Sequence, residues 1–193
     1  MVTTENLSAS KALTGFVKIW QSNPDTGESV LLIDKQNMIL KGGAKLIAQC
    51  LGGKTDSKIW GMYIGYNNSV DFDPAETAPP IDVDYSHPFS DFKAGGDFGY
   101  LREPLTFAPN YLSSVGYDSN TVLFSTMITT ATSAGGAVFN TASKIYEVAL
   151  VAVPDVTNTT KDVVFSRTNF NVIQYNSSYN FTITWGVRII LPE

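Results

Sequence analysis

The last seventeen residues, Ser177–Glu193, constrain the fold of this chain most. Tyr179, Phe181, Ile183, Trp185, Val187, Ile189 and Leu191 occupy every second position, and Asn180, Thr182, Thr184, Gly186 and Arg188 lie between them. Successive side chains of a strand point to opposite faces, so this period of two describes one long, half-buried β-strand with a large aromatic and aliphatic inner face. A sheet that ties in such a strand suits a scaffold with little moving machinery.

Shorter apolar runs supply its companions. Leu13–Trp20 and Val30–Ile33 read as strands around Asn23-Pro24-Asp25-Thr26-Gly27, in which proline pre-sets φ and glycine supplies positive φ, so the pair is expected to form a hairpin. Leu40–Leu51 reads as a helix with Leu46, Ile47, Cys50 and Leu51 on one apolar stripe and Gly52-Gly53 as its C-cap. Further strands are expected at Ile59–Tyr66, Tyr100–Phe107, Val122–Thr130, Ile145–Val153, Val163–Ser166 and Tyr179–Leu191, with turns at Gly116–Asn120, Ser133–Gly136 and Pro154–Lys161. The pattern predicts an all-β fold: an antiparallel, jelly-roll-like β-sandwich of about eight strands with one short α-helix near residues 40–51. Residues 1–11 read as a polar N-terminal arm, and residues 12–193 as a single domain with a long inserted loop at 67–99.

Composition narrows the function classes. The 193 residues suffice for one core, and 44% hydrophobic residues, dispersed along the chain, describe a globular protein. A net charge of −5 with thirteen scattered basic residues argues against a nucleic-acid partner, because affinity for phosphate comes from clustered Lys and Arg. The uncharged stretches fall short of a membrane span. Cys50 is the sole cysteine, which rules out an internal disulfide, and its place on the helical stripe reads as a buried structural thiol. The N-terminus lacks the basic and apolar regions of a signal peptide, so Asn6, Asn67, Asn158, Asn176 and Asn180 read as by-products of an Asn/Ser/Thr-rich composition and not as glycan acceptors.

The 67–99 segment carries four prolines, seven acidic residues against Lys93 alone, and several aromatic rings, which suits an interaction-forming excursion. Its Asp71-x-Asp73 and Asp82-x-Asp84 pairs lack the glycine and distal glutamate of a calcium loop, and read as a solvated acidic loop. His87, the only histidine, has no nucleophile elbow to serve, and Gly42-Gly43 and Gly95-Gly96 lack the lysine and spacing of a phosphate loop. No catalytic residue, metal or cofactor is expected. Glu147 lies among apolar residues in Ile145–Val151 and must face solvent or be paired; Arg167, Arg102 and Arg188 are its candidate partners in a structural ion pair.

Three local patterns, in order, carry a resemblance. They are Asn37–Ala48, in which Asn and Gly lead into a short apolar helix; Trp60–Tyr66, a strand followed by a Pro/Thr-rich loop; and the set Ile145–Leu150, Val164–Phe170 and Tyr179–Leu191. Together they resemble small virion structural proteins of tailed bacteriophages, of the capsid-decoration, collar or tail-attachment kind. The resemblance implies a non-enzymatic β-sandwich located in the virion, a homo-oligomer whose partners are other copies of itself and neighbouring virion proteins. The arm and the 67–99 loop are the expected contact regions. The alternative is a carbohydrate- or receptor-binding module of a tail or fibre, with Tyr66, Tyr85 or Tyr111 stacking on sugars. A hydrolase using Glu147 or His87 ranks last.

Overall fold

The computed structural model describes residues 13–39, 41–54, 57–67, 106–128, 139, 143–153 and 163–190. They contain β1 (Leu13–Ser22), β2 (Ser29–Ile39), α1 (Lys41–Leu51), β3 (Lys58–Asn67), β4 (Thr106–Tyr111), β5 (Ser114–Asp118), β6 (Thr121–Ile128), β7 (Lys144–Val153), β8 (Val163–Gln174) and β9 (Asn180–Ile189). Two antiparallel sheets pack as a β-sandwich, one ordered β2-β1-β9-β6-β5 and the other β4-β3-β7-β8. The arm at 1–11 lies outside the described residues. So does the 67–99 loop, apart from Asn67 at the end of β3.

β9 occupies the middle of the five-stranded sheet, paired with β1 from Ser22↔Asn180 to Leu13↔Ile189 and with β6 from Ile128↔Phe181 to Thr121↔Arg188. Phe181, Ile183, Trp185 and Val187 are buried, as their alternation predicts. Burying four such side chains contributes on the order of 10 kcal/mol before the entropy of ordering is subtracted. The inner face stops there, because Ile189 is 51% exposed.

A row of rings crosses the interior beside β9. Tyr66 of β3 meets Phe139 edge-on at 4.9 Å, Phe139 lies 5.5 Å from Tyr175, and Tyr175 lies 5.6 Å from Phe181. The row ties the four-stranded sheet to the five-stranded one through aromatic contacts of favourable geometry.

At one side the sheets share a strand. β2 pairs with β1 along most of its length, and its end turns onto β8 through Met38↔Arg167 and Ile39↔Ser166. Asn37 fastens this corner by donating from Nδ2 to Ser166 Oγ at 2.6 Å. Its cross-strand partner is Gly15, where a β-carbon would collide with the Asn37 amide.

The local signals act as their chemistry requires. In the β1–β2 turn, Asn23 Oδ1 accepts from the backbone N–H of Asp25 at 2.8 Å, and Gly27 takes φ 74°. Helix α1 ends with Gly53 at φ 89°, where Lys54 N–H donates to Gln49 O and Gly53 N–H donates to Cys50 O. These two bonds form a Schellman cap, which satisfies carbonyls the helix would otherwise leave open.

Four elements differ from expectation. β2 and β8 run on to Ile39 and Gln174, because ladder pairing carries polar stretches that have no alternation of their own. Gly116–Asn120 is not a turn: Ser114–Asp118 form β5 against β6, and the reversal narrows to Ser119 and Asn120, with Ser119 at φ 51°. Of the strand expected at Tyr100–Phe107, residues 100–105 lie outside the described residues; Thr106 and Phe107 open β4, which runs on to Tyr111 and includes Pro109 on an outer edge where a missing N–H costs no ladder bond.

Candidate functional site

Glu147 sits on β7, opposite Gly65 of β3 and Asn169 of β8, in a strand buried from Ile145 to Val153. Arg167 is two residues from Asn169 along β8, the diagonal neighbour of Glu147. Arg167 Nε donates to Glu147 Oε1, and Arg167 Nη2 donates to Glu147 Oε2 at 2.7 Å. This is a bidentate guanidinium–carboxylate fork between two buried side chains. Burial pushes the Glu147 carboxyl well above the usual carboxylate range. The Tyr146 phenol beside it is pushed up as well, by burial first and by the charge of Glu147 second.

Of the three partners the sequence offered to Glu147, the structure selects Arg167. Arg188 lies in the other sheet, where its Nε donates to Thr121 Oγ1 at 3.2 Å, and Arg102 falls outside the described residues. Both carboxylate oxygens of Glu147 are engaged, and the residue is 1% exposed. Such a group fixes the packing of β7 on β8. A general acid or base would need a face open to substrate.

Two expectations are corrected. Cys50 is exposed and not a buried thiol, with its Sγ 3.7 Å from the carbonyl of Ser57. Its stripe is only partly covered: Leu46 enters the core, while Leu51 on the same face remains open to solvent. Tyr66, expected as a stacking platform for sugars, is buried in the aromatic row. Tyr85, His87, Asp71, Asp73, Asp82 and Asp84 lie outside the described residues, as does the side chain of Tyr111. Among the described residues no group of three His, Cys, Asp or Glu could hold a metal ion, and no helix is long and apolar enough to cross a membrane.

The open stripe of α1 leads to a feature the sequence did not disclose. Between the helix and the end of the five-stranded sheet lies a groove of about 670 Å³, lined by Ile47 and Leu51 of α1, Val115 and Tyr117 of β5, Phe124 of β6 and Ile189 of β9. Leu51 and Tyr117 on its rim are 84% and 80% exposed. Among the described residues that line it, Lys58 alone is charged. Its chemistry is that of a receptor for apolar groups. In sequence, Ile47, Leu51 and Ile189 look like ordinary core positions, because periodicity shows which residues share a face and not whether anything covers that face.

No protein-family model, curated protein or solved structure matches this chain.

Proposed function

We propose that this protein is a non-enzymatic structural subunit of a tailed-bacteriophage virion, assembling on the capsid or tail through contacts with copies of itself and with neighbouring virion proteins. The observation that carries the reading is where the three resembling patterns fall. Asn37–Ala48 covers the end of β2 and most of α1, Trp60–Tyr66 lies in β3, and the third pattern covers parts of β7 and β8 and the whole of β9. β3, β7, β8 and β2 are consecutive in the strand order, and α1 packs on β8. Apart from β9, which lies in the facing part of the sandwich with β1 between it and β2, patterns scattered along the sequence therefore form one continuous body, as a shared scaffold would.

An exposed apolar groove and an open sheet edge suit a subunit whose work is attachment. The arm at 1–11 and the 67–99 loop, both proposed as further contacts, lie outside the described residues apart from Asn67. The test is immunogold labelling of purified phage particles with an antibody raised against the subunit. Label at one fixed position on capsid or tail is expected; protein found only in the unassembled fraction would overturn the reading. A chain lacking Met1–Lys11 should fold and yet fail to enter particles.

A further inference from the structure

Among the described residues the strand order ends at β4 and at β5, and these two edges are not equivalent. β4 presents Pro109, opposite Tyr63, and proline has no N–H to offer an incoming strand. β5 has no such guard. Ser114–Asp118 contains neither proline nor lysine, runs without a bulge along β6, and is exposed at four of its five residues. Val115 and Tyr117, opposite Phe124 and Val122, share the face that overhangs the apolar groove, and Val115 is 47% exposed. An unguarded edge with apolar side chains invites pairing, and folded proteins otherwise blunt such edges.

We propose that β5 is a homodimer interface: it pairs antiparallel with β5 of a second copy about a two-fold axis at Gly116, joining two five-stranded sheets into one of ten strands. This rests on the self-association in the function proposed above and gives it a surface. The strand is self-complementary in this register, the one that pairs all five residues. Val115 falls opposite the partner's Tyr117 on the groove face, and Tyr117 opposite the partner's Val115. Aromatic with β-branched is a favourable cross-strand combination. On the other face Asp118 meets the partner's Ser114, so the single charge of each strand finds a hydroxyl and not a second carboxylate. Gly116 meets its own copy with no side chain between them.

The area is adequate as well. Val115, Tyr117 and Leu51, at their exposures, present on the order of 400 Å² of mostly apolar surface per copy. With the backbone edge added, two copies reach the roughly 1,200 Å² at which specific interfaces begin.

The test uses the full chain. Sedimentation from low micromolar to several hundred micromolar should show a reversible monomer–dimer equilibrium. Tyr117→Lys should weaken it at least tenfold and Tyr117→Phe should leave it nearly unchanged; because Tyr117 is exposed, neither change should unfold the subunit. A β-carbon at Gly116 would meet nothing closer than Leu123 Cβ at 3.9 Å, so cysteine fits there. Directly opposed β-carbons in an antiparallel pair stand about 4.5–5.5 Å apart, close to disulfide reach. In a Cys50→Ser background, Gly116→Cys should therefore give at least tenfold more covalent dimer under mild oxidation than Asp25→Cys in the β1–β2 turn. Dimerisation indifferent to Tyr117→Lys, with no cross-link at Gly116, would overturn the β5 interface and leave self-association standing. A chain monomeric throughout would overturn both, and neither result bears on particle labelling.

Discussion

The ring of Phe16 lies across Gly186, its cross-strand partner, in the space a β-carbon would need. Phe16 belongs to β1 and Gly186 to β9, so the glycine that interrupts the terminal run is filled from the neighbouring strand. Gly186→Ala should cost about 1–3 kcal/mol through overpacking. Phe16→Leu combined with Gly186→Ala should recover part of that loss, and a double-mutant cycle from denaturant midpoints measures the coupling. Additive losses would show that ring and glycine are independent.

Gly43 and Gly27 differ in the reason they are glycine. At Gly43 a β-carbon would strike the carbonyl oxygen of Phe165, which belongs to the backbone of β8 and cannot rotate aside. Gly43→Ala should lift α1 from β8, with a loss of about 3 kcal/mol and reduced helical signal in circular dichroism. Gly27 has open space around it and φ 74°. Gly27→Ala should cost about 1–2 kcal/mol, from backbone strain alone.

Removing one partner of the buried fork should be far worse than removing both. Glu147→Ala leaves the Arg167 guanidinium buried without its carboxylate, and about 3–5 kcal/mol should be lost. Glu147→Leu with Arg167→Met should fall within about 1 kcal/mol of the parent protein or exceed it. Equal losses in the single and double variants, measured by urea unfolding, would show that the pair has no role in positioning the strands.

The same pair gives a pH dependence. Burial holds the Glu147 carboxyl above its unfolded value of 4.5, so the folded chain binds this proton more tightly than the unfolded chain does. Its contribution to stability is fully present below pH 4.5 and is lost as pH rises through the folded value. The stability of the parent minus that of the Glu147→Leu/Arg167→Met protein should therefore fall from pH 4 toward neutrality. A difference that rises over this range would show that Arg167 outweighs burial.

The terminal run reported its strand and the buried face from Phe181 to Val187, since an alternation of large side chains leaves a chain few other ways to bury them; it overstated that face at Ile189, which is half exposed. The hairpin at Asn23 and the cap at Gly53 were equally legible, because each depends on a backbone conformation that few residues adopt. β5 was not. Gly116 and Asp118 favour turns, and only pairing with β6 makes that stretch a strand. Glu147 had either to face solvent or to be paired, and three arginines suited the second case equally well in sequence; choosing among them took the register of β7 on β8. The groove was hidden for a related reason. Its walls come from α1 and from β1, β3, β5, β6, β8 and β9, and an absence of atoms between distant segments leaves no mark on any of them.

The position of β9 also governs when this molecule can fold. β1 and β6 are separated by about a hundred residues, and both pair with a strand made after them. Until β9 emerges from the ribosome, the β1–β2 hairpin and the β5–β6 hairpin are two unjoined ribbons, each with an apolar face and an open edge. Closing the five-stranded sheet is a late step that bridges large sequence separations, which slows folding. The unfinished chain is then the species most exposed to aggregation during synthesis.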